Sequence, residues 1–95
     1  MIMEQNNKYN ELLKFARHSA ELTATSEGEM SQSLNTIAMY EDLQMGWINC
    51  CGGCLDDFDK YSSEAIEAYV DEYAKHYGVS YKQDRWGNYK ILVKE

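Results

Sequence analysis

The chain has 95 residues, a net charge of −7, no proline and three cysteines. That length supports a single small globular domain over residues 1–95, burying roughly 60–65% of the unfolded chain's surface and stable by on the order of 5–10 kcal/mol. The acidity excludes a surface built to hold phosphates, no apolar run approaches the ~18 residues of a membrane span, and the odd cysteine count does not suit a secreted disulfide scaffold.

The opening MIMEQNNKYNE lacks the basic-then-apolar pattern of a secretory leader. A cytoplasmic setting, or the cytoplasm of a host cell, is therefore expected. Residues 1–7 are polar and are expected to fray. From residue 8 to about 23, Tyr9, Leu12, Leu13, Ala16 and Ala20 recur at helical spacing, with Phe15 and Leu22 widening the stripe. The run Thr23–Glu29 breaks that pattern. Ser26 and Glu29 stand at capping-box spacing, which predicts a second helix over about 27–45. It carries Met30, Leu34, Ile37, Ala38 and Met45 on one side, and Tyr40, Leu43 and Trp47 on an adjacent one. A helix apolar on two stripes is expected at the centre of the fold.

Residues 46–61, GWINCCGGCLDDFDKY, read as an irregular connection partly pinned by Trp47, Ile48, Leu55 and Phe58, with the second helix ending at Gly46 or running through it toward Asn49. A connection of that length is a place for function. The stretch 63–77 then predicts the third helix. Ile66, Tyr69, Val70, Tyr73 and Tyr77 share one face, and Glu64, Glu67, Asp71 and Glu72 the other. Ser62 or Ser63 suits the N-cap, and Lys75 and His76 suit the negative end of the helix dipole. Gly78 suits a left-handed C-terminal stop, with Val79 folding back on Ala74.

After Gly78 the period changes to two. Val79 and Tyr81 alternate with Ser80 and Lys82, and Tyr89, Ile91 and Val93 with Lys90, Leu92 and Lys94, around the turn signal Gly87-Asn88. A β-hairpin is expected, with a loop longer than two residues because Asp84 and Arg85 are poor strand formers. An isolated hairpin is marginal, so it should pack on the tyrosine face of the third helix. The expected class is α+β: a three-helix body with a C-terminal antiparallel β-hairpin packed on the third helix. Three helices and a hairpin are also the order of a winged-helix DNA reader. Its recognition helix here would present Glu64, Glu67, Asp71 and Glu72 to phosphates, which argues against it.

Cys50, Cys51 and Cys54 form the densest unusual cluster. Three thiolates with His18 or His76 would make a tetrahedral zinc set, but no second ligand pair follows. Cys51-Gly-Gly-Cys54 has dithiol spacing, yet no strand precedes it and Asp56 and Asp57 would raise a thiol pKa. The remaining reading is small buried hydrophobes. Asp56, Asp57 and Asp59 fail the EF-hand pattern, because positions 6 and 12 counted from Asp57 are Ser62 and Ala68. His18 and His76 lack a nucleophile at any family-like spacing. No phosphate loop, nucleophile elbow or zincin motif occurs. No enzymatic activity, cofactor or metal is expected.

Charge distribution points to a partner. Between residues 20 and 73 there are twelve acids against one base, Lys60. Such a middle repels nucleic acid and attracts a protein with a basic surface. Interaction candidates are Asp56, Asp57, Asp59, Glu64, Glu67, Asp71, Glu72 and the aromatic Trp86 at the hairpin tip. By analogy with the anti-restriction and anti-CRISPR proteins of phages and mobile elements, carboxylates on a compact body can occupy sites meant for phosphates. The alternatives are an adaptor or regulatory subunit without mimicry, or a thiol or metal protein centred on the cysteines.

Overall fold

Helix α1 runs Ile2–Ser26, α2 Thr36–Cys51 and α3 Leu55–Tyr77, with strands β1 Ser33–Leu34, β2 Ser80–Gln83 and β3 Tyr89–Leu92. This computed structural model describes the backbone of residues 2–51 and 55–92, and side chains over 9–49 and 58–92. The class is α+β as expected, and the hairpin lies on α3. Among the described residues no helix is long and apolar enough to cross a membrane.

Leu12, Ala16, Ala20 and Ala24 are buried on α1 at every fourth position. The three alanines let α3 approach closely along the length of α1. Leu22 stands two residues from both Ala20 and Ala24, which turns it away from the core at ~100° per residue; it is 57% exposed. It therefore does not widen the buried stripe. The helix also begins at Ile2 rather than after a frayed start. Met, Glu and Gln in that stretch are good helix formers, with no glycine or proline to stop them.

The second helix begins nine residues later than its spacing predicts. Residues 27–35 are held elsewhere: Leu34 and Ser33 pair with Tyr89 and Lys90 of β3, and Glu27 is taken by α3 tyrosines. Ser26 does not cap a following helix; its hydroxyl donates back to the Thr23 carbonyl. Asn35 is the cap of α2, its Oδ1 accepting the Ala38 N–H at 3.0 Å. The buried face of α2 is Met39, Leu43 and Trp47, while Ile37 and Met45 are 70% and 65% exposed. The stripe through Ile37 and Met45 was the wrong side of a helix that is apolar on both. Nor is α2 central: α3 packs against α1, α2 and β2 together.

Residues 46–61 are mostly helical, not an irregular connection. α2 passes straight through Gly46, where a Cβ would stand 2.7 Å from Phe15 Cζ. The glycine makes room for that ring. α3 starts at Leu55 and carries a break at Tyr61, with φ −117° and ψ 18°. The Ser62 hydroxyl donates to the Asp59 carbonyl at 3.3 Å, taking up a group that a continuous helix would satisfy. The expected start at Ser62 or Ser63 thus falls beside a bend inside a longer helix. Residues 52–54 lie outside the described residues.

The C-terminus of α3 forms as its sequence predicts. Val79 N–H donates to the Ala74 carbonyl at 3.0 Å, Gly78 N–H to Lys75 at 3.1 Å, and Gly78 has φ +68°. This is a Schellman stop. It turns the chain into β2, and β2 pairs antiparallel with β3. Tyr89 and Ile91 point inward; Ile91 meets Tyr73, Ala20 and Ala24. The two-stranded expectation is short by one strand, since β1 pairs with the other edge of β3 and the order is β1-β3-β2.

Candidate interaction surface

Glu64, Glu67 and Asp71 follow one another at spacings of three and four, which aligns them on one side of α3. They are exposed and line a groove of about 260 Å³ with Tyr9, Leu13 and Arg17 of α1 and Tyr81 of β2. Arg17 is the one base of that lining among the described residues. The Tyr81 hydroxyl donates to Asp71 Oδ1 at 3.4 Å. Burial raises the Tyr81 pKa, and the charges of Asp71 and Glu67 raise it further. Tyr89 is raised by burial and by Glu67. The row thus imposes a negative field on two aromatic rings, and the groove offers carboxylates beside tyrosine faces.

The other predicted residues do not join this row. Asp59 accepts the Tyr40 hydroxyl at 2.5 Å, bracing α3 against α2. That bond is the main reason the Tyr40 pKa is raised, followed by burial. Glu72 is half-buried. Asp56 and Asp57 fall in the first turn of α3, and their side chains lie outside the described residues. Cys50 and Cys51 end α2 with side chains also outside that range, and Cys54 lies outside it altogether. His18 and His76 are exposed on different helices, the latter edge-on to Tyr77 at 5.0 Å. Among the described residues no three His, Cys, Asp or Glu side chains gather as a metal set.

Trp86 is 75% exposed at the hairpin tip, with the Arg85 guanidinium 5.2 Å from its ring centre. The tip is firmly built. Asp84 Oδ1 accepts the N–H groups of Trp86 and Asn88 at 2.9 and 3.0 Å, and Gly87 takes φ +88°. Thr36, the first residue of α2, donates its N–H to Asn88 Oδ1 at 3.0 Å and its hydroxyl to the Gly87 carbonyl. The turn is thereby fastened to the start of α2.

One polar cluster was not foreseen. Glu27 Oε1 accepts the Tyr73 hydroxyl and lies 2.8 Å from that of Tyr77. The Tyr73 oxygen in turn accepts the Ser31 N–H at 2.7 Å. Burial and the Glu27 carboxylate push the Tyr77 pKa up to about 12 and raise that of Tyr73. The spacing of Tyr73 and Tyr77 marks the inner face of α3, but nothing near Glu27 in the chain marks it as their partner. A second unforeseen feature is Trp47, which is 2% exposed and whose Nε1–H finds no acceptor among the described residues.

Comparison of the chain with protein-family models, curated proteins and solved structures gave no match.

Proposed function

We propose that the protein is a small non-enzymatic interaction module, working in the cytoplasm of its own or a host cell, that binds a basic protein surface through the groove between α1, α3 and β2. The observation that carries this is the row of Glu64, Glu67 and Asp71 lining an open groove with a single base among the described residues. Exposed ion pairs contribute only about 0.2–1 kcal/mol each. The row therefore acts as a set, with Tyr9 and Tyr81 supplying ring faces for the stems of lysine or arginine.

The same row supports mimicry of a nucleic acid strand. Its carboxylates advance by about 4.5 and 6 Å along the helix axis, a wider step than the ~3.4 Å per phosphate along a strand of B-DNA, so the likeness is one of aligned negative charge and not of matched spacing. The partner favoured by this line of charge is a nucleic-acid-binding protein whose phosphate sites are open, as with the inhibitors that phages and mobile elements direct against restriction or CRISPR enzymes. No cofactor enters this reading. The test is affinity for a panel of basic nucleases and effectors at low and high salt. Binding should fall steeply with ionic strength, and Glu67→Lys with Asp71→Lys should weaken it by about tenfold or more. Affinity indifferent to both salt and charge reversal defeats the proposal.

The exposure of Trp86 on a fixed turn favours a second reading, an adaptor that recognises its partner through an aromatic anchor. In that case Trp86→Ala abolishes binding while the charge reversals leave it intact.

A further inference from the structure

Helix α2 has a buried face and an opposite face with no partner among the described residues. At about 100° per residue, Ile37, Ala38, Glu41, Met45 and Ile48 fall within an arc of about 100° opposite Leu43. Ile37 and Met45 are mostly exposed, Ile48 is 39% exposed, and Ala38 and Glu41 are exposed. The stripe runs about 16 Å along the helix. Its first residue follows Thr36, whose two hydrogen bonds hold Gly87 and Asn88. That stitch brings the exposed Trp86 to the same end as Ile37. Scattered apolar residues need no explanation, but an ordered stripe with an aromatic at one end marks an interaction surface.

We propose that this stripe, with Trp86 at its end, is a docking face for an amphipathic helix of another protein, apolar along one side and flanked by lysines or arginines. The charge of α2 selects that occupant. The helix holds Glu41 within the stripe and Asp42 beside it, and no base. A basic helix laid along it pairs with both while its apolar side covers Ile37, Met45 and Ile48. A second copy is the poorer occupant. Two chains of net charge −7 repel, and an antiparallel pairing of α2 with itself brings the Glu41–Asp42 pairs together near its midpoint. This face shares only the basic character of the partner with the groove of α1, α3 and β2, and uses different residues.

The probe is a helical leucine–lysine peptide, with a scrambled peptide of equal composition as control, titrated into isotope-labelled protein and followed by amide shifts. The expected result is perturbation along Ile37–Ile48 and at Trp86, with Trp86 fluorescence moving to the blue. Met45→Asp, at an exposed position, should weaken binding at least about tenfold. Glu41→Lys should weaken it without disturbing the apolar contact, and Glu67→Lys should leave it unchanged. Circular dichroism of each variant checks the fold. Three results overturn the proposal: shifts centred on Glu64, Glu67 and Asp71, equal binding of the scrambled peptide, or light scattering that shows a dimer broken by Met45→Asp. The first of these leaves the groove proposal standing, and loss of salt dependence at the groove leaves this one standing.

Discussion

Glu27 follows the last residue of α1, where the helix dipole is unfavourable to a carboxylate. Its oxygen is stabilised there by two tyrosine hydroxyls of α3. Glu27→Ala should cost about 1–3 kcal/mol in denaturant unfolding, because it removes the acceptor of the hydroxyl of Tyr73, a buried residue, while the half-buried Tyr77 keeps the Ala24 carbonyl. The same contact has a pH signature. A tyrosine is neutral when protonated, and the folded pKa of Tyr77 lies near 12 against an ordinary 10.0. The folded state therefore holds this proton more tightly than the unfolded chain. Its contribution to stability is complete below about pH 10 and is lost as pH rises through about 12. Tyrosinate absorbance should show Tyr77 ionising late, and Glu27→Ala should move it back toward 10. An unchanged late titration in the variant would leave burial as the whole cause. The tyrosines were readable from their spacing in the chain. Glu27 was not, since its partners lie 46 and 50 residues away and no local pattern records such a distance.

At the level of elements, Gly46 shows a conflict between backbone preference and packing. Glycine inside a helix costs about 1 kcal/mol relative to alanine. Here the missing Cβ admits the Phe15 ring. Gly46→Ala alone should destabilise by about 1–3 kcal/mol through overpacking. In a Phe15→Ala background the same change should stabilise by about 1 kcal/mol. A double-mutant cycle by denaturant unfolding reads that reversal of sign, and additive effects would show that the ring and the glycine do not compete. The sequence leaves Gly46 open as a helix end or a position the helix runs through, because only a tertiary neighbour decides between them. The phase of α2 is hidden in the sequence for a related reason: with apolar residues on both sides, periodicity cannot say which side is buried. β3 and its turn were readable because Gly78, Gly87 and Asn88 punctuate them. β1 was not, since two residues carry no alternation.

For the molecule as a whole, the acids among the described residues divide into different roles. Glu64, Glu67 and Asp71 share a groove, Asp59 braces a tyrosine, and Glu27 is half-buried in a structural knot. A count of charges along the chain identifies an anionic protein. Only the fold separates carboxylates free to meet a partner from those already committed. The excess still has a general effect, because a net charge of −7 on 95 residues repels itself. Raising salt from a few millimolar to about 0.15 M should therefore raise the midpoint of thermal unfolding, as screening shortens the reach of that repulsion to about 8 Å. A midpoint that falls instead would mean that paired charges outweigh the repulsion.

The strand in the middle of the sheet comes later in the chain than either of its neighbours. During synthesis, residues 33–34 and 80–83 leave the ribosome with nothing to bridge them until 89–92 emerge. Ile91 is missing for the same interval from the cluster that Tyr73 forms with Ala20 and Ala24. A nascent chain halted before Tyr89 should thus remain protease-sensitive and open to chaperones, and release of only a few further residues should close it.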